Sequence, residues 1–291
     1  MSLSFKAAAG LAATLLTAGC TFAPASVTPY EPAASTTAAV TSGAPVQPRP
    51  AADPDSDDLN TSFTALAEQL PGKVGVTITN GDHTWTFGSW DTGPAWSTIK
   101  VPLAIAATRH DPANTAPLVE RAITASDNAA ADQLWASLGE PAAAAAAIHQ
   151  VLVDGDNPDV EVQAEQSRPP YSAYGQTIWP QVDAARFAWT LPCIRDAEPV
   201  LALMRNINPD QRWGLAALHN TATKGGWGPD PEGNYQARQI GLVQTQTGTL
   251  GVAIATKPND GTFATATTIL NNLGNWITQN TTELPAGHCT S

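Results

Sequence analysis

The sequence predicts an α+β fold: an antiparallel sheet covered by helices from both ends of the chain, with an all-α lobe inserted between its strands. Three observations predict it. A strand, Asn80-Gly81 and a second strand form a hairpin pattern near the start of the folded part. A long Ala-rich helical tract follows. Two alternating strands and an amphipathic helix close the chain.

The elements come in order. Residues 1–19 read as a secretory signal, with Lys6 as its only charge and an Ala/Leu run up to Ala18. The run ends in Leu16-Thr17-Ala18-Gly19-Cys20, which resembles a bacterial lipobox. Cys20 would then be lipidated and become the mature N-terminus, on the extracytoplasmic face of a cell membrane. An ordinary signal peptide with an incidental Cys is the alternative. Residues 20–59 are rich in Pro, Ala, Thr and Ser, and cannot bury enough apolar surface to order themselves. They read as a tether, which leaves 60–291 as the folded domain.

Ser62 to Leu70 is expected to be a short helix. Val74–Thr79 and His83–Phe87 are the hairpin strands. From Ser97 to about Leu215 the pattern is helical, with Pro and Gly breaks. An α/β lobe of 60–96 and 216–291 would therefore enclose an all-α lobe of 97–215. Ile240–Thr245 and Leu250–Ala255 are strands, and a helix runs from about Phe263 to Thr278. Its apolar positions are Ile269, Leu270, Leu273 and Ile277. Cys193 and Cys289 are left as a disulfide or as two buried thiols.

Composition excludes several functions. The chain has 291 residues and carries 14 Lys and Arg against 26 Asp and Glu, a net charge of −12. So few cations argue against a nucleic-acid binder. No apolar run of about 20 residues follows the first two dozen positions, so a multi-pass membrane protein is excluded. The five His show no metal-ligand spacing. Asp154-Gly-Asp156-Asn157 resembles part of a calcium loop but lacks the Glu twelfth ligand, and reads as a turn.

Three short motifs carry chemistry. Ser97-Thr-Ile-Lys100 opens an apolar helical stretch. At i and i+3 on a helix the Lys100 amine could reach the Ser97 hydroxyl, and the first helical turn favours negative charge. That outlines a nucleophile with its base. Ser126-Asp127-Asn128 ends a helical run, and Lys224-Gly225-Gly226 lies in or beside a strand. Each alone is weak.

Their order is informative. Ser-x-x-Lys, then Ser-Asp-Asn, then Lys-Thr-Gly is the signature of penicillin-binding proteins and class A β-lactamases. The segment from Ser126 to Gly139 resembles the Ser-Asp-Asn helix of class A enzymes. Gly175-Gln-Thr-Ile-Trp179 resembles the segment after their omega loop. Arg238-Gln-Ile240 resembles the start of the strand after Lys-Thr-Gly. Over about residues 60–280 the chain resembles the serine β-lactamase/penicillin-binding family, as a divergent lipoprotein of actinobacterial type.

The resemblance implies a β-lactamase/DD-peptidase-like fold and an acyl-enzyme mechanism. It implies Ser97 as nucleophile and Lys100 as base. Ser126 would relay a proton, and Asn128 would orient the substrate amide. Lys224 and Arg238 would hold a substrate carboxylate. Gly226 and Trp227 would form the strand wall, the Trp227 and Ser97 N–H groups supplying an oxyanion hole. A small-molecule or peptidoglycan-derived substrate is expected. The protein is expected to be a monomer without cofactor, metal or nucleic acid, its membrane contact made through the lipid. The alternative is a catalytically silent envelope lipoprotein with this fold, used for binding.

Three departures stand out. Ser126 follows Ser97 by 29 residues, about half the class A interval, so one helical excursion is missing. Gly225 replaces the usual hydroxyl residue, and Trp227 stands where a small residue is usual, either narrowing the cleft or offering a stacking surface. The deacylating Glu is not evident: Glu165 lies at about the right distance, but Gln166-Ser167-Arg168 do not continue the motif.

Overall fold

The computed structural model describes residues 57–280 and 284–290. Residues 1–19, Cys20 and the tether as far as residue 56 lie outside the described residues. The helix α1 spans Asp57–Ala67. It begins before the expected domain boundary, because Leu59 and Phe63 enter the core.

The hairpin is β1 (Gly72–Thr79) and β2 (Thr84–Gly88), paired antiparallel with Thr79 opposite Thr84. Gly81 takes a positive φ of 95° in the turn, a conformation that suits glycine. The late strands are β3 (Thr221–Pro229), β4 (Tyr235–Gln244) and β5 (Thr249–Pro258). Five strands form one antiparallel sheet in the order β2-β1-β5-β4-β3. β3 is an edge strand, and that edge meets the helical lobe.

One sheet face carries both terminal helices, α1 and α8 (Phe263–Asn280). Ile269, Leu270, Leu273 and Ile277 are buried there against Val74, Val76 and Ile78. The Trp276 ring packs edge-on against Phe63 and Phe87, 5.1 Å from each, and its Nε1 donates to Ser62 Oγ at 3.0 Å. Aromatic packing with a satisfied indole N–H thus joins the two ends of the chain.

The helical insert consists of α2 (Lys100–His110), α3 (Pro112–Thr124), α4 (Asn128–Ser137), α5 (Pro141–Asp154), α6 (Gln181–Thr190) and α7 (Glu198–Arg205). α2 is buried for most of its length. α6 lies on the second sheet face. A side chain at Gly251 of β5 would sit 2.2 Å from the Ala185 carbonyl oxygen, so glycine permits this close approach. α6 therefore packs on the sheet as well as on the all-α lobe.

As the short interval predicts, no further helix lies between the first two motifs: α2 and α3 follow one another directly, and α3 ends at Thr124, two residues before Ser126. Cys193 and Cys289 form a disulfide, with Cα atoms 6.1 Å apart. The 154–157 segment is structural: Asn157 is buried, and its Oδ1 accepts from Trp179 Nε1 at 2.8 Å. No cluster of His, Cys, Asp or Glu among the described residues could hold a metal. None of the described helices is long and apolar enough to cross a membrane.

Candidate active site

Ser97 lies in a 3-10 turn, Trp96–Ile99, that runs into α2. Trp96 has a φ of 50°, which sets the turn. Ala95 N–H donates to the Thr177 carbonyl at 2.7 Å, and Thr98 Oγ1 donates to the Ala95 carbonyl at 2.6 Å. The Ser97 segment is thereby fixed to the loop before α6.

The second motif is built by a helix cap. Asp127 Oδ1 accepts from Ala130 N–H at 3.1 Å and starts α4. Ser126, at φ 57°, turns the chain just before it. Ser126 and Asn128 are thereby aimed at the end of Lys100. Lys100 Nζ donates to the Ser126 carbonyl at 2.6 Å and to Asn128 Oδ1 at 2.7 Å, with Ser126 Oγ at 3.5 Å.

The third motif closes the cluster. Lys224 Nζ donates to Ser126 Oγ and to the Gly225 carbonyl, each at 2.8 Å. Lys100 and Lys224 are both 1% exposed. Burial lowers the Lys100 pKa to about 8, with Asp132 and Asp127 pulling it back up. Burial, and then the Lys100 charge, push Lys224 well below its ordinary value.

Gly226 is a contact position. A Cβ there would lie 2.8 Å from both the Ser97 nitrogen and the Ala95 carbonyl oxygen. Its absence lets β3 press against the Ser97 turn. The Gly225 carbonyl accepts from Lys224 at the open edge of β3. By the two-residue alternation of a strand, the Trp227 N–H and carbonyl face the same edge. That turns the Trp227 N–H to the open edge of β3, the edge that meets the Ser97 turn.

Ser97, Lys100 and Asn128 line one cavity of about 330 Å³, with Trp227 on its wall. The Trp227 ring does not close it. It packs on Phe263 at 5.1 Å and on Trp213 at 6.0 Å, against the core beneath α8.

The structure separates two residues from this group. Arg238 is 3% exposed and does not line the Ser97 cavity. It pairs with Gly226 across β3 and β4 and turns under the Ser97 segment. There it donates to the carbonyls of Trp179, Gly93 and Pro94 at 2.9, 3.1 and 3.4 Å, and to Gln181 Oε1 at 3.3 Å. Its guanidinium shapes the floor and does not offer a carboxylate site. Glu165 lies on a neighbouring cavity and not on that of Ser97. The expected Ser97–Lys100 hydrogen bond is also absent among the described residues, since Ser126 and Asn128 claim the ammonium. Such bonds are often long in unliganded sites and tighten when substrate binds.

Sequence reasoning missed Asp132 and Tyr174. Asp132 lies one turn beyond Asn128 on α4, on the same cavity, and its Oδ1 accepts from the Tyr174 hydroxyl at 2.6 Å. The i, i+4 spacing carried that signal for Asp132. Tyr174 opens a short 3-10 turn, Tyr174–Gln176, with no pattern to read. Arg168, part of the broken Glu motif, ties the same loop to the end of β3. It donates to the Pro229 carbonyl at 3.0 Å and lies 5.3 Å from the Tyr171 ring.

No known family profile matches the chain, and no curated protein matches it. Solved structures do. A β-lactamase from Streptosporangium roseum is 16% identical, covering 79% of this chain and all of its own, with a TM-score of 0.59. An ancestral class A β-lactamase is also 16% identical, covering 76% of this chain and 99% of its own, with a TM-score of 0.58. A β-lactamase from Xanthomonas campestris is 15% identical, covering 76% and 96%, with a TM-score of 0.57. The fold is that of the class A β-lactamases.

Proposed function

We propose that the protein is an exported, lipid-anchored serine hydrolase or acyltransferase of the penicillin-recognising type. One observation carries the reading. Two buried lysines, Ser126 and Asn128 form one hydrogen-bonded cluster, and Ser97 shares a cavity with it. Burying two ammonium groups is costly and is not needed for the fold.

The steps follow from the geometry. Ser97 Oγ attacks an acyl carbonyl carbon while Lys100, as a free amine, takes the hydroxyl proton. The carbonyl electrons move to oxygen, which the Ser97 and Trp227 N–H groups stabilise. On collapse the bond to the leaving group breaks. Ser126 Oγ gives that group a proton and regains one from Lys100, which closes the relay. Asn128 and Lys224 hold Lys100 and Ser126 in place. Water or another acceptor then attacks acyl-Ser97. With Glu165 outside the cavity, this last step is slow.

The disulfide supports an oxidising, extracytoplasmic setting. Cys20 would anchor the chain in the membrane, its spacer leaving the domain free to meet a small-molecule or peptidoglycan-derived substrate. Incubation with p-nitrophenyl acetate, read by intact mass, tests the reading. One acyl group per chain, lost in Ser97→Ala, is expected. Labelling that survives Ser97→Ala unchanged would overturn it.

A further inference from the structure

We propose that a cleft between the end of α7 and the start of β3 binds a phosphoryl group, separately from the Ser97 cavity, with Arg205, Arg212, His219 and Thr221 as its donors.

The cleft has a volume of about 740 Å³ and shares no lining residue with the Ser97 cavity. Arg205, Arg212 and His219 line it, together with Asn220, Thr221 and Gln244. No Asp or Glu is among the described residues on its wall. In a chain with 26 Asp and Glu against 14 Lys and Arg, that wall is a local reversal of charge. The carboxylates near it in sequence are engaged. Glu198 accepts from Arg205 Nη1 at 3.3 Å, and Asp210 accepts from Gln211 Nε2 at 3.0 Å.

Arg212 is the cation available to a ligand. Arg109, Arg121, Arg186, Arg195 and Arg205 each pair with a carboxylate. Arg212 pairs with none among the described residues. Its Nε donates to the Ile207 carbonyl at 3.1 Å, which holds the side chain and leaves both terminal nitrogens without a hydrogen bond among the described residues. A guanidinium held at one end presents a planar fork to an oxyanion. Thr221 is 8% exposed, and its hydroxyl has no hydrogen-bond partner among the described residues. A buried hydroxyl left unpaired costs stability, so its place on this wall points to a ligand atom.

These donors suit a phosphoryl group better than a carboxylate. Two guanidiniums and a hydroxyl offer more N–H and O–H groups than two carboxylate oxygens accept. A phosphate monoester brings three terminal oxygens and nearly two charges. The volume falls within the range of about 300–1,000 Å³ usual for small-molecule sites, which leaves room for the organic group that carries the phosphate.

Titration of the full chain with inorganic phosphate at low salt, followed by backbone amide NMR shifts, tests this. Saturating shifts confined to residues 204–221 and Gln244 are expected, with half-saturation at about 1 mM. Acetate at equal ionic strength should bind at least about tenfold more weakly. Arg212→Gln keeps a donor nitrogen for the Ile207 carbonyl and removes the fork, so it should weaken phosphate binding about tenfold or more. Thr221→Val should weaken it about threefold. Glycerol 3-phosphate and a short-chain phosphatidic acid, kept below its micelle concentration, carry the same monoester. Tighter binding of the lipid assigns a headgroup as the source, and equal or weaker binding assigns a free ester. No saturating shift in the cleft, or acetate binding as tightly as phosphate, would overturn the proposal whether or not the variants fold. So would an unchanged phosphate midpoint in a folded Arg212→Gln protein.

Discussion

Lys224 Nζ lies 2.8 Å from Ser126 Oγ, so the Ser126 hydroxyl is held by a buried lysine from the opposite lobe. The same serine receives Lys100 through its carbonyl at 2.6 Å. Ser126 is thus the point where α4, α2 and β3 meet. Ser126→Ala keeps the carbonyl and removes the relay. Acylation of Ser97 should slow by about 10²–10⁴-fold, the usual worth of a positioned proton donor. Stopped-flow acylation by an anilide, whose leaving amine must be protonated, measures it. A rate within threefold of wild type would show that Ser126 is not in the relay.

Lys100 must lose its proton to act as base. With its pKa lowered to about 8, acylation should rise with pH and level off above that value. Asp132 is the larger of the two charges pulling the value up, so Asp132→Asn should move the midpoint lower. Stability has the same sign. The folded-state value lies below the ordinary 10.5, so the unfolded chain binds more protons between the two. Stability should therefore rise as pH climbs from about 8 towards 10.5, and Lys100→Met should flatten that rise. A pH series of rates and of denaturant midpoints checks both.

Gly225 and Trp213 are one packing unit. A Cβ at Gly225 would stand 2.5 Å from the indole, so the missing hydroxyl follows from the ring that fills its place. Gly225→Thr should cost about 1–3 kcal/mol, as overpacking does. Denaturant unfolding reads the loss, and an unchanged midpoint would contradict the contact.

The Cys193–Cys289 disulfide closes a span of 96 residues. It ties the turn after α6 to the end of the described chain. Reduction should lower stability by about 2–5 kcal/mol. Equal guanidinium midpoints with and without reductant would argue against it.

Much of this was legible in the residues. The hairpin at Asn80-Gly81, the β-branched late strands and the apolar stripe of α8 each carried a local signal, and the motif order located Ser97, Lys100, Ser126, Asn128 and Lys224. Position along the chain was readable, but side-chain direction was not. Arg238 occupies the expected strand, yet the carbonyls of Gly93, Pro94 and Trp179 draw it under the floor. Trp227 stands at the expected place, yet Phe263 and Trp213 take its ring into the core side. Lys100 sits one turn from Ser97, yet stronger acceptors 26 and 28 residues away hold its ammonium. Each outcome depends on partners distant in sequence, which no local pattern encodes. The start of α1 was missed for a simpler reason, since Asp57 and Asp58 resemble the polar segment before them.

The most direct test of the whole account is the time course of the acyl adduct on Ser97, followed by peptide mass mapping in wild type and Lys100→Met with a neutral p-nitrophenyl ester. A single adduct is expected to form in wild type, to outlast the ester and to form about 10²–10⁴-fold more slowly without the amine. An equal rate in the two proteins, or no adduct on Ser97 in wild type, would contradict it.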